Sequence, residues 1–237
     1  MISFIVPAYN EAYLLGRTVD SIHFAATRLG IPYEVLVVDD HSDDATAKVA
    51  KEHKARVIPV RHRQIAATRN SGARQARGQV FIFVDADTVI STFVLSETID
   101  ALMEGVAGGG AAIEFDGRIP WYGKMLEWLV CRLYRYGRIA SGSYLFCTRE
   151  AFEETGGFDE RVYGAEEAGM CRALKKCGRF MVLRERVLTS GRKFRLHTFA
   201  EVMATLLRVT FHGGRIARKK SARIWYRPRR EPPGGDS

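Results

Sequence analysis

Four short apolar runs, Ile2–Val6, Val35–Val38, Val57–Val60 and Val80–Val84, are rich in β-branched residues and almost unbroken by polar positions. Continuous rather than alternating hydrophobicity predicts strands covered on both faces, as in a mainly parallel sheet. Between these runs the period changes. Glu11–Leu29 spaces Leu15, Val19, Ile22 and Ala26 three or four residues apart, Ala45–His53 follows the acidic pair Asp43 and Asp44, and Ile65–Arg77 is alanine-rich with arginines on its open side. Each predicts a helix. Strands alternating with helices over the first hundred residues predict an α/β sheet with right-handed crossovers, whose ligand site lies at the carboxyl ends of the strands.

After Met103 the alternation breaks. Gly108-Gly109-Gly110 punctuates a strand running to about Phe115, an aromatic helix is expected at Trp121–Tyr136, and Tyr144–Cys147 reads as another strand. A short helix at Arg149–Glu154, a turn at Gly156-Gly157 and a helix at Glu166–Cys177 complete this half. Phe199, Val202, Met203, Leu206 and Leu207 repeat at helical spacing and define an amphipathic helix stopped by Gly213-Gly214. The expected organisation is one domain over 1–197, with a first half to about 103 and a substrate-side half beyond it. An amphipathic helix over 198–214 and a basic, flexible tail over 215–237 follow.

The composition is that of a folded globular protein: 237 residues, 46% of them hydrophobic and 27% charged, which excludes a disordered or fibrous chain. The net charge of +9 comes from 36 basic and 27 acidic residues. Most of the surplus sits after Arg215, so affinity for an anionic membrane surface or a nucleic acid belongs to the tail rather than to the chemistry of the domain. Four cysteines, Cys131, Cys147, Cys171 and Cys177, lack any C-x-x-C spacing and read as reduced core residues, without a disulfide framework or a zinc site. No apolar stretch has the length of a membrane span, and Met1-Ile2-Ser3-Phe4 enters a strand without a basic leader. The expected location is cytoplasmic.

Three acidic clusters carry candidate chemistry. Asp85 and Asp87 close a buried strand two residues apart, so on strand geometry they face one side and could share a hard cation; equally, one of them could cap the next helix. In Asp39-Asp40-His41-Ser42-Asp43-Asp44, turn and cap chemistry for the helix near Ala45 explains two or three residues. Asp39, at the mouth of the strand, could accept a hydrogen bond from a base or ribose. Glu166 and Glu167 fall in a first helical turn, where the macrodipole favours the ionised form and a charged carboxylate can act as a general base; glutamates are also ordinary helix starters. His197 and the Ser190-Gly191-Arg192-Lys193 run could approach a diphosphate or cation from the C-terminal side, although a histidine after a basic run is commonly a surface residue. The aromatics of Trp121–Tyr136 could stack on an acceptor or pack in the core. No G-x-G-x-x-G, Walker loop, G-x-S-x-G or H-E-x-x-H is present, which weighs against dehydrogenases, nucleotide hydrolases, esterases and zinc proteases.

Taken in order, Ile5-Val6-Pro7-Ala8-Tyr9-Asn10-Glu11, Val38-Asp39-Asp40-His41-Ser42, Arg69-Asn70, Asp85-Ala86-Asp87, Gly156-Gly157-Phe158-Asp159-Glu160 and Glu166-Glu167 resemble family 2 glycosyltransferases of the GT-A fold over residues 2–190. The resemblance implies a mostly parallel nucleotide-binding sheet flanked by helices, with an acceptor-side elaboration. It implies inverting transfer of a sugar from a nucleotide-diphosphate sugar to a sugar or lipid-linked acceptor, with Mg²⁺ or Mn²⁺ as cofactor. By position, Pro7, Ala8, Tyr9 and Glu11 line the base, Asp39 contacts it, and Arg69 flanks the nucleotide. Asp85 lies near ribose and cation, Asp87 is the metal ligand in this Asp-x-Asp motif, and Glu167 is the base with Glu166 in reserve. Glutamate stands at 167 where the family generally has aspartate. The helix over 198–214 and the basic tail have the makeup of a peripheral anchor for an anionic membrane at its inner face, or equally of a helix docked on the domain with a solvated tail, whereas nucleic acid is not an expected partner. A nucleotidyltransferase, or a non-catalytic basic protein binding nucleic acid or membrane, is the rival reading.

Overall fold

A computed structural model describes residues 1–117, 119–137, 139–192 and 195. The amphipathic helix expected over 198–214, the basic tail and His197 lie outside the described residues, as do the side chains of Trp121 and Tyr134.

The first four strands are β1 (Ile2–Ala8), β2 (Tyr33–Asp39), β3 (Arg56–Pro59) and β4 (Val80–Val84), joined by helices α1 (Ala12–Arg28), α2 (Thr46–Glu52) and α3 (Ile65–Gln75). All four are parallel, and the chain runs outward from β1 through β2 to β3 before α3 carries it back to place β4 on the other side of β1. The strand order therefore reverses at β1, and an open α/β sheet presents its ligand crevice at such a switch point, beyond the carboxyl ends of the strands. The second half adds β5 (Thr88–Val89), α4 (Thr92–Met103), β6 (Val106–Phe115), α5 (Trp121–Gly137), β7 (Tyr144–Thr148), α6 (Arg149–Thr155), α7 (Glu166–Cys177) and β8 (Arg179–Thr189). The eight-stranded sheet has the order β3-β2-β1-β4-β7-β6-β8-β5, with β7 antiparallel to both β4 and β6. The strand-helix pattern reads the first half closely; β5 and the long β8 are not foreseen, because two residues carry no period and Arg184-Glu185-Arg186 breaks the apolar run of β8.

Alternation along the buried strands divides the interior into two layers. Phe4 and Val6 of β1 and Ile82 and Val84 of β4 pack with Leu15, Val19 and Ile22 of α1. Ile5, Phe81 and Phe83 point the other way, against Ala66 and Ala73 of α3, Phe152 of α6, Phe158, and Met170 and Leu174 of α7. Cys131, Cys147 and Cys171 are buried and Cys177 partly so, all with free thiols. Among the described residues no helix is long and apolar enough to cross a membrane.

The glycines of β6 answer to close packing. A Cβ at Gly109 would stand 2.2 Å from the Met181 carbonyl and 2.6 Å from the Phe146 ring; one at Gly110 would stand 2.3 Å from the Ala140 Cβ and 2.5 Å from the Tyr144 carbonyl. Backbone on the neighbouring strands leaves no room to yield. Gly110→Ala is accordingly expected to lower stability by about 1–3 kcal/mol in chemical denaturation, the usual penalty of overpacking, and an unchanged midpoint would show that β6 and β7 can separate at this point.

Candidate active site

The loops leaving β1, β2 and β3 are tied to one another before any ligand is considered. The Asn10 backbone N–H donates to the Ser42 hydroxyl (3.0 Å), its side-chain amide donates to Asp43 (2.5 Å), and the Asp43 N–H donates back to Asn10 Oδ1 (3.0 Å). Asn10, His41 and Arg63, one in each loop, have left-handed backbones with φ of 53°, 58° and 51°. Such conformations are unfavourable for residues with a Cβ and persist where surrounding bonds fix them, often at sites of function.

Asp39 is buried at the end of β2 and accepts from the Ser42 hydroxyl (2.5 Å) and N–H (3.3 Å). Asp40 works differently from the helix-α2 cap expected of its cluster. Its carboxylate accepts from the backbone N–H groups of His62 (2.7 Å), Arg63 (2.9 Å) and Gln64 (3.1 Å) and from the Thr68 hydroxyl (3.0 Å), so it fastens the β3–α3 loop and the first turn of α3. At the start of α2 it is Asp44 that accepts from both the N–H and hydroxyl of Thr46, the first residue of the helix. The Arg63 guanidinium stacks 3.9 Å from the centroid of the Tyr9 ring. Pro7 lies beside Val38 at the end of β1, whereas Ala8 is buried in the core beneath α1 and does not present its side chain at the strand ends.

The strand geometry expected of Asp85 and Asp87 does not hold. β4 stops at Val84 and the chain turns, with the Thr88 N–H donating to the Asp85 carbonyl (3.0 Å), so the two carboxylates diverge. Asp85 accepts from Arg69 Nη2 at 2.9 Å; Asp87 accepts from Arg192 Nη2 at 2.9 Å. That same Arg192 nitrogen donates to Glu11 Oε1 at 2.6 Å. Glu11, expected in the base-lining segment, is thereby placed beside Asp87 at the switch point.

Arg69, expected to flank a nucleotide, lies buried under the strand ends. Its guanidinium also donates to Glu166 Oε1 (2.7 Å) and to the Gly142 carbonyl (3.0 Å), and it stands 5.2 Å over the Phe158 ring. Next to it, Asn70 donates to the Phe158 carbonyl and accepts from the Phe158 N–H, both at 2.9 Å. Gly156 and Gly157 turn toward this asparagine with φ of 74° and 83°, and a Cβ on Gly157 would stand 2.8 Å from Asn70 Oδ1. The Gly-Gly-Phe-Asp-Glu motif thus brings the chain from α6 to α3 and on to α7.

Glu166 and Glu167 then take separate roles. Glu166 is buried in the ion pair with Arg69 and so is not available as a reserve base. Glu167, partly buried, faces the backbone at Gly142, where a Cβ would stand 3.6 Å from its Oε2. Its carboxyl is pushed up to about 7, first by burial and then by the Glu166 charge, with Arg69 pulling the other way. The expected pull of the helix start toward the ionised form is opposed here by burial. A macrodipole contributes only about 0.3–1 kcal/mol at a first turn, less than the loss of water around a buried charge.

Asp85 and Asp87 are both hard oxygen donors of the kind a divalent cation takes, and each already accepts from an arginine at 2.9 Å, Asp85 from Arg69 and Asp87 from Arg192. Among the described residues no group of three or more His, Cys, Asp or Glu is placed to hold a metal. Diphosphate oxygens or water would therefore have to complete any coordination shell. Asp40, Asn70 and Gly142 are the site residues that the sequence reading passed over; Asn70 stood inside a noted motif, while Gly142 had no local signal.

Comparison with known proteins bears on the family and the fold. The glycosyl transferase family 2 model matches residues 3–154. A dolichol-phosphate mannosyltransferase from Pyrococcus furiosus is 30% identical over 136 residues, covering 53% of this chain and 38% of the relative. The succinoglycan biosynthesis protein ExoO of Rhizobium meliloti is 34% identical over 119 residues, covering 48% of this chain and 32% of the relative. The matches span about a third of these relatives' length. Among solved structures, the mannosyltransferase PcManGT from Pyrobaculum calidifontis, in complex with GDP-Man and Mn²⁺, superimposes with a TM-score of 0.69 at 20% identity over 95% of this chain and 68% of its own. Residues 1–349 of S. aureus TarS give 0.63 at 20% identity over 94% and 68%. At such identities the likeness is one of fold.

Removing the Arg69 guanidinium leaves the buried Glu166 carboxylate uncompensated. Arg69→Met is expected to lower stability by about 3–5 kcal/mol, and the double variant Arg69→Met, Glu166→Gln to recover part of the loss in equilibrium unfolding. Additive losses in that cycle would mean that the two side chains do not act as a pair.

Proposed function

The chain belongs to glycosyl transferase family 2, with a mixed α/β sheet flanked by helices as in GT-A enzymes, and from that premise we propose that it transfers a sugar from a nucleotide-diphosphate sugar to a hydroxyl of a sugar or lipid-linked acceptor, with inversion. The observation that carries this reading is the placement of Glu167 beside Gly142 and next to Glu166, where Arg69 joins Glu166 to Asp85; burial there pushes the Glu167 carboxyl up to about 7. A base with that affinity for protons is half-ionised near neutrality, the condition under which proton removal from a hydroxyl is most effective.

Roles follow from position. Asp39 offers its carboxylate to the base or ribose, and the Tyr9 ring with Arg63 behind it forms an adjoining wall. Glu167 takes the proton of the acceptor hydroxyl as the sugar passes through an oxocarbenium-like state, and Arg69 keeps Glu167 and Asp85 at a fixed separation. Asp87, with Mg²⁺ or Mn²⁺ bound, would supply charge neutralisation for a departing diphosphate. Attraction to an anionic membrane, and with it a cytoplasmic, inner-face location, is assigned to the helix over 198–214 and the basic tail.

Two measurements test this. In a thermal-shift panel of UDP-, GDP-, dTDP- and CDP-sugars, at least one donor is expected to raise the melting temperature, and more so with Mn²⁺; no shift with any donor would remove the transferase reading. Glu167→Gln is expected to lower turnover by about 10² to 10⁴ while leaving donor affinity nearly unchanged. In the parent, kcat/KM should rise as pH increases through about 7, because the ionised form is the active one. Stability should move oppositely: the folded state binds the extra proton between the ordinary carboxyl range and about 7, so stability falls as pH rises across that window. A pH–rate profile with no inflection near 7 would reassign the base.

A further inference from the structure

The loops after β1 and β4 flank the point where the strand order reverses, and they are joined there by one side chain from the far end of the fold. Arg192 follows β8, and its Nη2 donates to Glu11 Oε1 at 2.6 Å and to Asp87 Oδ2 at 2.9 Å. The side chains are about equally withdrawn from solvent, with 5% exposure for Arg192, 11% for Glu11 and 10% for Asp87. The backbone delivers the arginine firmly. The Ser190 N–H donates to the Asp87 carbonyl (3.2 Å), the Gly191 N–H donates to Asp116 Oδ1 (2.8 Å), and a Cβ on Gly191 would stand 2.6 Å from the Asp116 carbonyl.

We propose that Arg192 is the resident counter-ion of the candidate cation site, so that its guanidinium and a divalent cation compete for Asp87. This rests on the metal-assisted form of the proposed function and adds to it a reason for the metal to bind poorly on its own. Two carboxylates converge on one nitrogen, and the guanidinium already balances one of their two charges. A divalent cation arriving at Asp87 Oδ2 would meet a positive charge within hydrogen-bond distance of the same oxygen, with little water between them to screen it. At Oδ2 the cation binds only by displacing the guanidinium. Asp85 is held in a parallel way, by Arg69, which is also paired with Glu166.

Mn²⁺ binding to the full chain without any nucleotide sugar, followed by electron paramagnetic resonance of the free ion, tests this without recourse to activity. Arg192→Met is expected to bind Mn²⁺ at least about tenfold more tightly than the parent, since loss of a contacting like charge in a poorly solvated site is worth that much or more. Adding Asp87→Asn should abolish the gain. Arg17→Met, which removes an exposed arginine facing Asp116, should change affinity by no more than about twofold because exposed charges are screened. Should Arg192→Met fail to fold by circular dichroism, Arg192→Lys keeps the charge but not the forked donors and is expected to give a smaller tightening in the same direction. Equal affinity of the folded Arg192 variants and the parent, or a gain that survives Asp87→Asn, overturns the inference. If no variant binds Mn²⁺ while a nucleotide sugar still raises the melting temperature without metal, the inference and the metal both fall and the transfer reading stands.

Discussion

The arrangement depends on one buried cation. The Arg69 guanidinium reaches from α3 to Asp85 after β4, to the Gly142 carbonyl ahead of β7, and to Glu166 at the start of α7. Those partners lie far apart along the chain, and no strand pairing joins α7 to β4. A guanidinium suits the task because its forked donors fix directions as well as distances, which a lysine ammonium cannot do. Its burial needs both carboxylates, and each carboxylate needs it. The network therefore specifies how α7 sits against the sheet more than it adds net stability. Glu167 inherits its place and part of its proton affinity from this neighbour, being raised by burial and by Glu166 and restrained by Arg69.

Two arginines divide the acidic residues of the crevice between them. Arg69 neutralises the Asp85 and Glu166 side, next to the candidate base; Arg192 neutralises the Glu11 and Asp87 side, at the topological switch. The division explains why two aspartates only two residues apart do not act as a single chelating unit. Once β4 ends and the chain turns, their carboxylates answer to different partners, and whichever retains a displaceable partner is the better place for a metal. Under the proposed competition Asp87 would be that place, its guanidinium coming from Arg192 beyond β8 and that of Asp85 from α3.

Much of this fold was legible in the sequence because its first half follows one rule: apolar strands buried on both faces, separated by amphipathic helices. The limits of β1 to β4 and of α1 to α3 fall within a few residues of the periodic runs. β8 was not legible, since Arg184, Glu185 and Arg186 sit on an exposed part of a strand whose inward residues, Leu183 and Val187, are too sparse to mark a period. The site was legible as a set of residue types and only partly as geometry. Strand alternation put Asp85 and Asp87 on one side, yet the turn at Asp85 takes them out of the strand. Helix-start electrostatics kept Glu167 charged, yet desolvation outweighs a partial dipole charge once the carboxyl is enclosed. Asp40, Asp43 and Asp44 stood in one acidic string; which loop each would hold depended on contacts with residues as distant as Thr68, which no local pattern encodes.

The family match ends at residue 154, ahead of the candidate base. What connects Glu167 to the matched region is the physical link through Arg69, which lies within that region and binds the residue preceding the base. Asn70 repeats the connection one residue further on, holding the Gly-Gly-Phe turn that leads into α7. A sheet edge that binds a nucleotide can be built from β1, β2 and β4 alone; a transferase also needs a proton acceptor at a set distance from that edge. In this chain that distance would be set by the two adjacent side chains of α3, which tie the first half of the sheet to the start of α7.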